Sequence, residues 1–344
     1  MDLTDIWFLL IAVLFTGYFV LDGFDFGVGI LLPFVGRSDA GRRVAINTIG
    51  PVWDGNEVWL IVAGGAMFAA FPEWYASLFS GFYPALLLIL VALIIRGVAF
   101  EFRGKIDSER WRRNWDIAIV AGSAVPALLW GVAFANIVAG VPLDANHEFT
   151  GTLLTLLNPY ALLGGLATLA LFTLHGAVFL ALKTSGDVRA RAAGLVRLLG
   201  AAAILFGGGF LAWTFLAHDR PWIAAPVLVA AAALIGTIVL SARGREGWAF
   251  VLTATAIIGV TVTLFGTLYP NVLPSTTAAA NSLTTTNAAS TPYTLTIMTW
   301  VAVVFTPIVV LYQAWTFWVF RRRIGTADIP AASGLPAAGG SPAR

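Results

Sequence analysis

The chain contains no cysteine, which excludes disulfides, thiolate-bound metals and iron–sulfur clusters. It has only three histidines, His147, His175 and His218. Haem held by two axial histidines needs a facing pair at one depth. His147 and His218 fall in or beside connections, and only His175 lies within an apolar segment, so it reads as a hydrogen-bonded packing residue. Charge is scarce as well, at 11% of residues against about 25% in soluble domains. With a mean hydropathy of +0.86, the chain lacks the polar surface of a soluble fold, and it has no basic surface suited to nucleic acid. A basic leader is missing too. Asp2 and Asp5 stand where a signal peptide carries positive charge, and the apolar run that follows is too long for one.

What is present is apolar sequence in long runs, 59% hydrophobic overall. Nine segments stand out, at 6–35, 52–71, 77–101, 115–139, 158–182, 195–217, 222–241, 247–269 and 293–320. The fold class is therefore all-α, a polytopic integral membrane protein with nine transmembrane helices. The first and last segments exceed a bilayer core of about 30 Å and should tilt or project. A short match between Val20-Leu21-Asp22-Gly23 and Thr173-Leu174-His175-Gly176 suggests two four-helix units plus a peripheral ninth helix. No loop is long enough to hold a soluble domain. One transmembrane domain is expected over 1–323, with an Ala/Gly/Pro-rich disordered tail over 324–344.

Basic residues orient the set. Arg37, Arg42 and Arg43, then Arg103 to Arg113, Lys183 to Arg197, Arg243 and Arg245, and Arg321 to Arg323 occupy alternate connections. The other connections are acidic or nearly uncharged. Positive-inside then places the N-terminus outside and the C-terminus in the cytoplasm, every loop agreeing. Residues 37–50 fit a short interfacial helix and a plain loop equally well. The Thr/Asn/Ala/Ser-rich stretch 272–291 fits a mobile loop or an ordered cover on the outer helix ends.

Within the first span, Asp22 and Asp25 lie three residues apart on one helix face. A carboxylate in hydrocarbon is disfavoured by roughly 2.5 to 3.5 kcal/mol, so the pair needs a protein-lined or wet setting. The second span opens with Asp54 and Glu57, the third carries Arg96 and Glu101, and the fourth starts with Asp116. Asp22, Asp25, Asp54 and Glu57 are the candidates for a proton path from the cytoplasmic side. Arg96, Glu101 and Asp116 are the candidate charge-pairing residues. The competing reading is a set of structural ion pairs and helix caps, since an acid in a helix's first turn is favourable by itself. Gly23 and Gly27, with Gly29 nearby, read as close helix packing, and so do Gly64-Gly65 and Gly207-Gly208-Gly209.

These residues carry a family resemblance. The stretch Leu21-Asp22-Gly23-Phe24-Asp25-Phe26-Gly27-Val28-Gly29, then Pro51-Val52-Trp53-Asp54-Gly55-Asn56-Glu57-Val58-Trp59-Leu60 and Phe79-Ser80-Gly81-Phe82-Tyr83, resemble subunit II of the cytochrome bd-type quinol oxidases. So do Lys105-Ile106-Asp107, Arg110-Trp111-Arg112, Trp115-Asp116, Gly131-Val132-Ala133-Phe134 with Asn136, and Leu157-Asn158-Pro159-Tyr160. Tyr269-Pro270-Asn271-Val272-Leu273-Pro274-Ser275 and Met298-Thr299-Trp300 with Pro307 extend the match to the ninth span.

The resemblance implies a nine-helix subunit paired with a haem-bearing subunit I in a bacterial or archaeal-type plasma membrane. Quinol is oxidised and dioxygen reduced to water in the partner, at haems b and d, with cytoplasmic protons consumed. Small accessory membrane subunits, lipid and a bound quinone are further implied associates, and no haem is implied on this chain. Asp25 and Asp54 match positions proposed for proton transfer in the family, and Asp22 matches its first acid. Glu57 stands where the family often has Gln, which adds a titratable group. The rival reading is a stand-alone proton-coupled transporter, which also predicts acids in broken helices, yet no paired unwound segments recur in the two halves.

The absence of native cysteine gives the orientation a clean test. A cysteine replacing Asn281 should react with an impermeant thiol reagent added outside intact cells, and one replacing Ser185 should be protected. Labelling in the reverse pattern would invert the topology.

Overall fold

The computed structural model describes residues 2–330 and 334–336. Eleven α-helices carry the architecture: α1 Leu3–Val35, α2 Asp39–Ile49, α3 Trp53–Ala70, α4 Pro72–Gly81, α5 Tyr83–Phe102, α6 Glu109–Ala139, α7 Pro159–Lys183, α8 Gly186–Ala217, α9 Ala224–Ala242, α10 Glu246–Leu268 and α11 Pro292–Val319. Among the described residues, eight helices are long and apolar enough to cross a membrane. The remaining long helix, α3, has 18 residues and so a length of about 27 Å. It falls short on apolarity because Asp54, Asn56 and Glu57 crowd its first turns.

Several helix starts follow from local chemistry. Ser38, Ser108, Asn158 and Thr291 each accept a backbone N–H of the following first turn, and Pro159 and Pro292 take first-turn positions where a missing N–H does no harm. Residues 37–50 resolve into the helix α2. The expected span 77–101 is instead divided at Phe82 into α4 and α5, with Pro84 in the first turn of α5. α6 and α8 begin earlier than their apolar runs, at Glu109 and Gly186. Their first turns are charged, with Glu109 and Asp187 among arginines, and hydropathy does not register them.

α1 is the axis of the bundle. It packs against α3, α6, α7 and α10, and its side chains from Phe24 to Val28 are buried without a break. Backbone proximity makes this work. A Cβ on Gly27 would sit 2.1 Å from the carbonyl oxygen of Phe172 and 2.7 Å from Gly176 Cα, so glycine alone fits where α1 crosses α7. The Gly64-Gly65 and Gly207-Gly208 pairs differ from the packing role expected of them. A Cβ on any of these meets nothing within 4 Å, because these positions face outward or line open space. α11 lies at the periphery, with Leu295 its one buried side chain.

The stretch 272–291 is ordered across the end of the bundle opposite the basic loops. Strands Asn271–Leu273 and Leu283–Thr284 pair antiparallel, and the carbonyl of Leu143 accepts from Ser275 Oγ and Asn281 Nδ2, each at 3.1 Å. At the basic end, Ile324 bridges to Thr184, and Arg43 Nη1 donates to Pro330 O at 2.7 Å. Residues 324–330 and 334–336 of the expected disordered tail thus run along the basic end. The rest of that tail lies outside the described residues.

The crossing at Gly27 generates a paired prediction. Gly27→Ala should destabilise by about 1–3 kcal/mol through overpacking, lowering the thermal inactivation midpoint, whereas Gly64→Ala should leave it unchanged or slightly higher. Equal effects would show that the α1–α7 approach does not limit stability.

Candidate functional site

Three helices bring the intramembrane charges together. Arg96 on α5 is fully buried and reaches Asp22 Oδ1 on α1 and Glu57 Oε1 on α3, each at 2.6 Å. Its guanidinium also lies over the ring of Phe26, 4.4 Å from the centroid. Asp22 is fully buried, while the Glu57 side chain retains 21% exposure. Asp25, one turn along α1, is fully buried and accepts from Asn56 Nδ2 of α3 at 2.7 Å. Asn56 also donates to Leu21 O at 3.2 Å.

Four polar atoms of this cluster, Asp22 Oδ2, Asp25 Oδ1, Arg96 Nε and Arg96 Nη1, are buried without a hydrogen-bond partner from the protein. Such atoms are disfavoured by about 1–3 kcal/mol each when truly unpaired, more when charged. The site therefore has unfilled hydrogen-bonding capacity on both signs of charge. One turn from Asp22, Tyr18 accepts from Trp130 Nε1 at 3.1 Å, which leaves its own O–H free to donate.

The other acids lie elsewhere. Asp54 is exposed at the start of α3, its Oδ1 accepting the N–H of Gly55 at 2.8 Å. It stands three residues before Glu57, on the same helix face. Glu101 is exposed and forms no ion pair among the described residues. Asp116 pairs with Arg42 at 3.0 Å and Arg103 at 2.5 Å, not with Arg96. Arg103 also reaches Asp39 at 2.9 Å, so this second cluster clamps α2, α5 and α6 at the basic end. Burial works to lower the Arg103 pKa, and the Asp116 and Asp39 carboxylates overcome it and hold the pKa above its ordinary value.

His175 sits on α7, its ring stacked 4.6 Å from that of Phe250. Nε2 donates to Val20 O at 3.0 Å, and Nδ1 lies 2.6 Å from Thr253 Oγ1. Both nitrogens are thereby engaged by protein. Among the described residues, no group of three or more His, Asp or Glu side chains is placed to hold a metal ion.

Two contacts of this cluster escaped the sequence reading. Asn56 was visible within the motif, but a neutral amide carries no charge penalty to draw notice. Gln313 on α11, which donates through Nε2 to Asn56 Oδ1 at 3.0 Å, had only one signal: it is a lone amide in an otherwise apolar segment.

Apart from the charges, an apolar cavity of about 550 Å³ opens between α1, α3, α4, α5 and α6. Phe15, Met67, Trp74, Phe82, Trp130 and Phe134 line it. Trp74 Nε1 is buried behind that lining, without a hydrogen-bond partner from the protein.

Comparison with known proteins places this geometry in context. The chain is 40% identical to the "Cytochrome bd-I ubiquinol oxidase subunit 2" of Escherichia coli (strain K12), over 94% of this chain and 96% of that one. It is 39% identical to the "Cytochrome bd ubiquinol oxidase subunit 2" of Bacillus subtilis (strain 168), over 94% and 97%. Its fold is similar to a chain in the structure of bd oxidase from Geobacillus thermodenitrificans, with a TM-score of 0.73, 18% identity, and coverage of 93% of this chain and 99% of that one. The sequence pattern of the family matches residues 3–320, and the chain belongs to the cytochrome bd terminal oxidase subunit II family.

Proposed function

We propose that this chain is the haem-free subunit of a membrane quinol oxidase, pairing with a haem-bearing subunit I in which quinol is oxidised and dioxygen is reduced to water at haems b and d. The observation that carries this reading is the 40% identity over 94% of the chain to a named subunit of such an oxidase. A stand-alone transporter gains no support from that relationship. In this reading α3 crosses the bilayer as a ninth span, since its polar first turns lie at the basic end, where headgroups and water tolerate them. That end faces the cytoplasm, with the N-terminus outside, and the chain through residue 323 acts as one transmembrane unit.

The second part of the reading is proton supply from the cytoplasmic side. Burial grades inward in support of it: Asp54 is exposed, Glu57 is partly exposed, and Asp22 and Asp25 are fully buried. Protons would be gathered at Asp54, pass Glu57, and reach Asp22 and Asp25. Arg96 limits the repulsion among the inner acids. The unpaired oxygens of Asp22 and Asp25 offer acceptor sites for water along that line. Glu101 and Asp116 stand apart from it, Asp116 serving as part of the basic-end clamp.

A bound quinone fits the aromatic cavity. The volume suits a ring and part of a prenyl tail, and the walls are apolar. In that site a quinone would supply packing and a redox-active ring. Aromatic and aliphatic lining such as Phe68, Tyr83 and Leu87 would hold it by apolar contact.

Two measurements follow. Asp25→Asn keeps volume and hydrogen bonding but removes the titratable site. It should lower haem-normalised oxygen consumption with excess quinol by roughly tenfold or more, with haem content unchanged. Asp54→Asn should show a smaller loss, because surface water replaces it in part. Wild-type turnover and proton uptake in well-assembled Asp25→Asn complexes would leave these acids as packing groups. For the cavity, Leu87→Trp fills part of the space at its open side, and it should reduce quinone co-purifying per haem. Unchanged quinone content in a well-assembled complex would remove the quinone from this cavity.

A further inference from the structure

α11 has no charged residue between Pro292 and Val319, yet it enters the acid cluster through one neutral amide. Trp59 Nε1 donates to Gln313 Oε1 at 2.6 Å. Gln313 Nε2 donates to Asn56 Oδ1 at 3.0 Å, and Asn56 Nδ2 donates to Asp25 Oδ2 at 2.7 Å. These contacts form one line of hydrogen bonds from an indole to a buried carboxyl group.

The line has a fixed direction. An indole nitrogen can only donate, so Gln313 must turn its oxygen to Trp59 and its nitrogen to Asn56. Asn56 must then accept from Gln313 through Oδ1, which leaves Nδ2 facing Asp25. Asp25 Oδ2 receives a donor and acts only as an acceptor. Any proton that Asp25 carries is therefore on Oδ1, the oxygen that is buried without a partner from the protein.

The geometry points to Gln313 as a positioning residue: acting through Asn56, it holds Asp25 Oδ2 as an acceptor and leaves Oδ1 as the oxygen that takes up and releases the proton. This deepens the proton-supply reading and rests on it. The charged and titratable groups around Asp25 are Asp22 on its own helix, Glu57 on α3 and Arg96 on α5. α7 contributes His175, whose nitrogens are held by Val20 and Thr253, and α11 contributes no charge. A change at Gln313 therefore alters the orientation of the donor to Asp25 while leaving the surrounding charges in place. α11 is otherwise tied by polar contacts near its ends, such as Trp7 Nε1 to Thr299 Oγ1 at 3.1 Å and Lys183 Nζ to Arg322 O at 3.2 Å. The donor to Asp25 thus depends on how this peripheral helix is seated.

The test uses the assembled two-subunit oxidase and infrared titration of the carboxylic C=O band, assigned to Asp25 by its loss in Asp25→Asn. Gln313→Met keeps side-chain length but removes the donor to Asn56 Oδ1, leaving Asn56 held through Nδ2 alone, by Leu21 O and Asp25. The donor to the carboxylate is then held less firmly, its ionised form is less favoured, and the band's titration midpoint should move to higher pH, by up to about one unit. Trp59→Phe should give a similar displacement, because it removes the donor that fixes Gln313. The double variant should shift no further than either single one, as members of one chain are not additive. Haem-normalised turnover should follow the same displacement along the pH axis. An unshifted midpoint in both assembled single variants, or shifts that add in the double variant, would overturn the assignment of Gln313. Loss of the turnover defect in Asp25→Asn itself would instead remove the proton-supply reading beneath it. If either single variant assembles poorly, the other still decides the matter through its midpoint.

Discussion

Everything near the middle of this bundle is arranged around the burial of one guanidinium. Arg96 has no solvent exposure and is held by two carboxylates at 2.6 Å. Taking such ions out of water is disfavoured by several kcal/mol each, and removal of one partner from a buried pair typically destabilises by about 3–5 kcal/mol. The arrangement therefore demands that α1, α3 and α5 arrive at one depth together. The stacking of Arg96 over Phe26 of α1 serves the same end. Around that single base stand Asp22, Glu57 and Asp25, more acid than neutrality requires. That surplus separates this cluster from an ordinary structural ion pair, and it is the feature on which the proton-supply proposal rests.

The division of labour among the acids follows from where each helix begins and ends. Asp116 and Asp39 meet Arg103 and Arg42 where α2, α5 and α6 emerge at the basic end, and there the pairing fastens helix ends. Asp22 and Asp25 lie on the helix that every neighbour packs against, away from such loops. The apolar cavity near Trp74 is lined without any of these charged groups. The charged cluster and the apolar cavity thus occupy separate parts of the fold.

Much of this was legible in the sequence, for physical reasons that differ from residue to residue. Asp22, Asp25 and Arg96 announced themselves because charge is disfavoured in apolar runs, and the pairing of Arg96 with Asp22 followed from the scarcity of alternatives, whereas Asp25 is held by Asn56. Glu101 was expected to join them, but its turn of α5 points to the surface. The glycines at 64–65 have the same composition signature as Gly27, yet only the backbone crossing at Phe172 and Gly176 distinguishes them. The ordering of 272–291 depends on Ser, Thr and Asn side chains bonding a distant carbonyl at Leu143, which composition reads as loop. The break at Phe82 was hidden because an aromatic-rich turn is as apolar as the helices on either side. Asn56 and Gln313 were silent for the opposite reason: a neutral amide is tolerated almost anywhere, and its meaning lies wholly in its partners.

The central claim is that the cluster around Arg96 is a hydrated junction connected to the basic end and not a dry ion pair. A structure of the assembled two-subunit oxidase that resolves water tests it most directly. The account predicts ordered waters on Asp25 Oδ1, Asp22 Oδ2 and Arg96 Nη1, joined past Glu57 to the surface at Asp54. A cluster in which those atoms are instead satisfied by side chains of either subunit, with no water between Glu57 and Asp25, would contradict it.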